Sequence, residues 1–159
     1  MTVWKVLYDS ALGSSVVLLQ NEQGDQVLPI WVGQSEALSI AVACENIKMA
    51  RPMTHDLLKS LIESAELTVE WIRVTDIIDG TFYALIRLTS TETGDTMELD
   101  SRPSDAIALA LRVKAPIFVA ERVLADALGG DLASMKSLDE LEEDFLENLP
   151  DEIFGKYKM

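Results

Sequence analysis

Ser35-Glu36-Ala37-Leu38-Ser39-Ile40-Ala41-Val42 and Ser104-Asp105-Ala106-Ile107-Ala108-Leu109-Ala110-Leu111 match at a constant offset of 69 residues. In each stretch a serine and a carboxylate open an apolar helical run, with the carboxylate against the positive end of the helix dipole. Each run directly follows a third β-rich segment. The two stretches therefore mark equivalent points in two similar units, about 2–65 and 67–128. Two units of three strands and two helices imply an α+β fold made by duplication, with one shared and barrel-like sheet.

Outward from these runs the pattern fills in. Residues 2–9 and 14–20 are rich in β-formers with Gly13 between them, and Gln26 to Val32 follows a turn at Asn21 to Asp25. Gln34 to about Lys48 is a buried helix that Arg51-Pro52 ends. Thr54 caps a second helix that runs to about Ser64, with Asp56 in its first turn. Leu67 to Ile78, Phe82 to Ser90 and Thr96 to Asp100 are the next strands, turned at Asp79-Gly80 and at Thr91 to Asp95. Helices Pro103 to Val113 and Glu121 to Leu128 flank a short extended piece, Ile117 to Ala120. Cys44 falls among apolar helix residues as a core thiol, and Trp4, Trp31 and Trp71 fall in strands as packing residues.

Composition sets the outer limits. The 159 residues carry 27 acidic and 13 basic side chains, a net charge of −14, and 48% are hydrophobic. That apolar content supplies a core, and the negative charge repels nucleic acid and anionic lipid unless a basic patch or a metal intervenes. One cysteine excludes an intrachain disulfide and a cysteine-rich zinc site. The first residues are no secretory signal, and no apolar run reaches membrane-spanning length, so the chain reads as soluble and cytoplasmic. Gly129-Gly130 separates a domain, 1–130, from an acidic segment, 131–159, that holds nine of the acidic side chains against three lysines. Leu138, Leu141, Phe145 and Leu149 share one helical face there, which suits docking on its own domain, on a second subunit or on a protein partner.

Four ordered motifs resemble the signatures of the bifunctional nuclease family. They are Leu28-Pro29-Ile30-Trp31-Val32-Gly33 with Glu36-Ala37, then Arg51-Pro52-Met53-Thr54-His55-Asp56-Leu57-Leu58, then Gly80-Thr81-Phe82-Tyr83-Ala84. The last is Asp100-Ser101-Arg102-Pro103-Ser104-Asp105-Ala106-Ile107, with Ala115-Pro116-Ile117 after it. The resemblance covers about residues 3–128 and implies a duplicated α+β domain, homodimers, and hydrolysis of DNA and RNA phosphodiester bonds.

Phosphodiester hydrolysis needs a group to neutralise phosphate, a group to activate water and often a divalent metal on carboxylates. Two clusters at helix starts offer these types: Arg51, His55 and Asp56, and Asp100, Arg102, Ser104 and Asp105. Arg102 and Arg51 suit phosphate, with Ser104 beside them. Asp100 and Asp105 would share Mg or Mn, and His55 would be the general base, with Asp56 beside it. No organic cofactor motif is present, and no serine–histidine triad is legible. A plain structural role fits the same residues: carboxylates as dipole partners, Ser104 and Thr54 as caps, and Arg102 as a turn clamp. Residues 46–62 and 101–122 each carry a local net charge of +2, enough for a small basic face and for weak, salt-sensitive nucleic-acid binding. The alternative to an enzyme is a non-catalytic dimeric scaffold, or a regulatory module that binds a protein or an anion.

Overall fold

In the computed structural model, residues 1–9 and 13–129 are described. The first half runs β1 (Thr2–Asp9), β2 (Ser14–Gln20), β3 (Val27–Val32), α1 (Gln34–Cys44) and α2 (Thr54–Ser64). The second half runs β4 (Leu67–Ile78), β5 (Thr81–Ser90), β6 (Thr96–Ser101), α3 (Pro103–Val113), β7 (Ile117–Val119) and α4 (Glu121–Gly129). The fold is thus mixed α+β. The acidic segment 131–159 and its expected apolar stripe lie outside the described residues.

The strands form two sheets, which corrects the expectation of a single shared or barrel-like one. β1-β2-β3 is an antiparallel meander, and β6-β5-β4-β7 is the second sheet. Short β7 pairs in parallel with β4 from Ile72↔Ile117 to Val74↔Val119 and forms one edge of the second sheet. Among the described strands β3 pairs with β2 alone.

The sheets and helices meet in one main core. Val17, Leu19, Leu28 and Ile30 of the first sheet cluster with Ile72, Val74, Ala84, Ile86 and Leu88 of the second. α3 is the central helix: Ala106 to Ala110 are all fully buried, and it packs on α1, α2, β4 and β5. Alanines at 106, 108 and 110 let these neighbours approach closely, and Pro103 at the first turn presets the helical φ. This packing carries the N-terminus of α3 to those of α1 and α2.

Several local expectations shift. α1 stops at Cys44 because Asn46 takes a left-handed conformation (φ 52°), which asparagine tolerates, ahead of the Arg51-Pro52 signal. Cys44 therefore sits on the last turn of α1 at the surface, and not in the core. Its thiol pKa is raised, chiefly by partial burial and then by the charge of Glu45. The residue capping α2 is Met53, and Thr54 is already helical. Trp4 and Trp31 are 41% and 43% exposed, because their strands present one face outward. Trp71 is half-buried, with the Arg73 and Arg87 guanidinium carbons 4.5 and 5.5 Å from its ring centre.

β6 is an edge strand, and Thr96 to Asp100 are all exposed. Met97 and Leu99 point to one side of it, and Glu98 and Asp100 to the other. Among the described residues no helix is long and apolar enough to cross a membrane.

Candidate functional site

Each of the three converging helices has a carboxylate at its third position: Glu36 in α1, Asp56 in α2 and Asp105 in α3. Such a position suits an acid on dipole grounds alone. Asp56 uses it directly, accepting the Met53 backbone N–H at 2.8 Å. Glu36 and Asp105 turn instead to a shared arginine.

Arg102 precedes α3 and donates to Asp105 twice, from Nε to Oδ2 at 2.8 Å and from Nη2 to Oδ1 at 3.2 Å. Its Nη1 donates to Oε1 of Glu36 at 2.9 Å. Oδ1 of Asp105 also meets Nε2 of His55 at 3.1 Å, and Nδ1 of the same ring lies 2.8 Å from Oγ of Ser39. One continuous array thus joins Glu36, Arg102, Asp105, His55 and Ser39. It runs from an arginine that is 66% exposed down to a serine that is 3% exposed.

Gly33 makes room for one link. A Cβ at that position would lie 2.5 Å from Oε2 of Glu36, so a side chain there would push the carboxylate aside.

The charges follow from these contacts. Burial pushes the Asp105 carboxyl up, but hydrogen bonds from Arg102 and His55, together with the Arg102 charge, outweigh it and hold it below the usual carboxylate range. The Asp105 carboxylate in turn raises the Arg102 pKa further. Arg102 has five N–H donors and uses three of them here, so two remain for a ligand.

Arg112 forms a second, closed unit. Its Nε donates to Oδ1 of Asp56 at 2.6 Å, and its Nη1 donates to the carbonyls of Ser39 at 3.1 Å and Ala108 at 2.8 Å. Burial pushes Asp56 up, while the Met53 N–H, Arg112 and the nearby His55 bring it below its ordinary range.

The structure brings together Arg102, Asp105 and His55 from the two sequence clusters, with Asp56 one step away through Arg112. Three candidates stay apart. Asp100 lies on exposed β6 opposite Leu85 and bonds to none of the array. Arg51 is exposed before α2, and buried Ser104 makes no side-chain hydrogen bond to the array. The small basic face also shrinks, because Arg112 is only 7% exposed and Arg122 pairs with Asp76.

Glu36, Ser39 and Arg112 were missed as site residues. Glu36 had a legible signal in its match to Asp105 at the 69-residue offset. Ser39 had a weaker one, a hydroxyl in an apolar helical run.

Both oxygens of Asp105 are engaged by Arg102 and His55, and Asp100 makes no hydrogen bond to the array. Among the described residues there is no group of three or more His, Cys, Asp or Glu side chains that could hold a metal ion.

The sequence profile of the bifunctional nuclease domain matches residues 17–129. An uncharacterized protein of Mycobacterium tuberculosis is 43% identical over 112 residues, which is 70% of this chain and 65% of that protein. Bifunctional nuclease 1 of Oryza sativa subsp. japonica is 32% identical over 118 residues, 74% of this chain and 36% of the rice protein. Bifunctional nuclease 2 of Arabidopsis thaliana is 31% identical over 107 residues, 67% of this chain and 32% of the relative. The chain thus spans less than two thirds of the length of each.

Proposed function

The chain belongs to the bifunctional nuclease domain family, and from that membership and the Arg102-centred array we propose that it is a nuclease acting on phosphodiester bonds of DNA or RNA. The observation that carries this reading is an exposed arginine with two N–H donors to spare, held at the meeting of helix N-termini. In this reading Arg102 holds a phosphate oxygen, while Asp105 and Glu36 fix the plane of its guanidinium. His55 holds Asp105 in place. Both ring nitrogens of His55 are engaged, and Asp105 is a weak base at its lowered pKa. Neither is poised to take a proton from water until a substrate rearranges the array. Glu36 and Asp105 against Arg102 leave a net charge of −1 with His55 neutral, so polyanion binding is weak and salt-sensitive. Mg or Mn assistance belongs to this reading as a question for the assay, since the donor set gives it no support. A duplicated origin of the two halves is supported by Glu36 and Asp105, which match in sequence and meet on one arginine.

A second reading is favoured by the engagement of both Asp105 oxygens and both His55 ring nitrogens within the array. A network of this kind suits a non-catalytic module, a homodimeric scaffold or an anion sensor, with the 131–159 sequence as the segment for a protein partner.

The deciding assay uses single-stranded DNA, duplex DNA and RNA at low salt with Mg, Mn or a chelator. Wild-type, Arg102→Ala and Asp105→Ala proteins are purified identically. Cleavage by the wild type that falls in both variants is the expected result. Cleavage that survives both substitutions points to a contaminant, and none in any condition leaves the non-catalytic reading.

A further inference from the structure

The buried end of the array has no role in the reading above. Ser39 is 3% exposed, and its hydroxyl lies 2.8 Å from Nδ1 of His55. Serine, histidine and aspartate in a hydrogen-bonded row have the composition of a nucleophilic triad. Here the order of exposure is reversed, with the serine innermost and the carboxylate outermost. A hydroxyl without surface cannot reach a substrate, so Ser39 is no nucleophile.

Proton accounting assigns it another task. An ionised carboxylate only accepts hydrogen bonds, so the 3.1 Å contact between Oδ1 of Asp105 and Nε2 of His55 requires the proton on Nε2. In the neutral form of the ring this leaves a lone pair on Nδ1, and the Ser39 hydroxyl is the group that donates to it. We propose that Ser39 is a positioning residue that locks His55 with its proton on Nε2, so that the ring donates to Asp105 and offers no lone pair to solvent. Donation runs one way, from Ser39 to His55 to Asp105.

Ser39 is itself held. Its carbonyl accepts from Nη1 of Arg112, and Arg112 is anchored on Asp56 in the turn that carries His55. The packing of α1, α2 and α3 therefore sets the ring's orientation from both sides. The neutral ring is a hydrogen-bond donor in this site and not its general base, which is where the assignment rests on the nuclease reading.

His55 is the only histidine in the chain, so its ring nitrogens give one pair of 15N resonances in the full-length protein. At alkaline pH the expected spectrum has the proton on Nε2 and an Nδ1 resonance shifted by an accepted hydrogen bond. Ser39→Ala moves Nδ1 toward the position of an unbonded ring nitrogen, and Ser39→Thr, which keeps a hydroxyl, restores it. A proton on Nδ1 in the unaltered protein overturns the assignment, and that spectrum needs no variant to fold. An Nδ1 resonance that a folded Ser39→Ala protein leaves in place overturns it as well. Activity is scored apart from this. Where cleavage is found, Ser39→Ala lowers kcat several-fold at unchanged KM and Ser39→Thr recovers it. Absence of cleavage removes the nuclease reading while the spectra still decide the role of Ser39.

Discussion

The two ends of α3 each carry an arginine, and the two side chains have opposite surroundings. Arg112, in the last turn, is 7% exposed and is tied to Asp56 and to two backbone carbonyls. Arg102, just before the first turn, is 66% exposed and is tied to Asp105 and Glu36. Counting ion pairs would rank Arg102 as the stronger structural element, since it meets two carboxylates. Burial reverses that ranking. An exposed pair exchanges water for little gain, whereas a buried cation leaves unsatisfied acceptors behind when it is removed. Exposure, more than pairing, separates the arginine that holds the fold from the one free to meet a ligand.

The comparison breaks most easily at Arg112. Arg112→Ala is expected to cost about 3 kcal/mol in urea unfolding, the low end for a broken buried pair because Asp56 keeps contact with water. A loss below about 1 kcal/mol would place Arg112 in the same class as Arg102.

Arg102→Ala should change unfolding by less than about 1 kcal/mol. Where Arg102 holds a phosphate, the same variant lowers the slope of log affinity against log salt for single-stranded DNA by about 1 in anisotropy titrations. An unchanged slope removes the phosphate contact.

Acid acts on both ends alike. Asp56 and Asp105 both have folded pKa values below their unfolded ones, near 3.9 for aspartate. Their contribution is fully present above about pH 4 and is lost as pH falls through the folded values. Asp56→Asn and Asp105→Asn should each flatten the acid limb of a stability–pH curve, and a limb as steep as wild type in both would refute the shifts.

The smallest effect is expected at Gly33→Ala. Its φ of −69° suits any residue, and the new Cβ displaces only the flexible tip of Glu36, so stability should stay within about 0.5 kcal/mol. Arg102 would nevertheless lose one of its two carboxylates. Tighter DNA binding at equal stability would confirm that Glu36 competes with the ligand.

Much of this was legible in the sequence. Alternation, turn residues and helical periodicity placed every described strand and helix to within a few residues, because those signals are local. The partition into two sheets was not local. It depends on which strands pair across the chain; Ile117–Val119, for example, takes the edge of β4, and nothing in its composition names that edge. The motifs named His55, Asp105 and Arg102 as candidates in two separate clusters, but neither their convergence nor the pairing of Arg112 with Asp56 was legible. A cation in the last turn of a helix already has a sufficient local reason to be there. Ser39 was hidden for the converse reason, as a small hydroxyl among alanines that reads as helix filler.

Among the described residues β6 is paired on one side only, and this edge bears on how the protein behaves in concentrated solution. A strand with one unpaired row of backbone groups is a template for adding another strand, and Met97 and Leu99 would make the addition favourable. Asp100 on the other side, with Glu92 and Asp95 in the preceding turn, sets like charge against like when two such edges approach, while Glu98 is paired with Arg87 at 3.1 Å. The safeguard is electrostatic, so salt screens it and acid removes it. Precipitation at low pH should therefore begin by sheet-to-sheet growth at this strand, before the core opens.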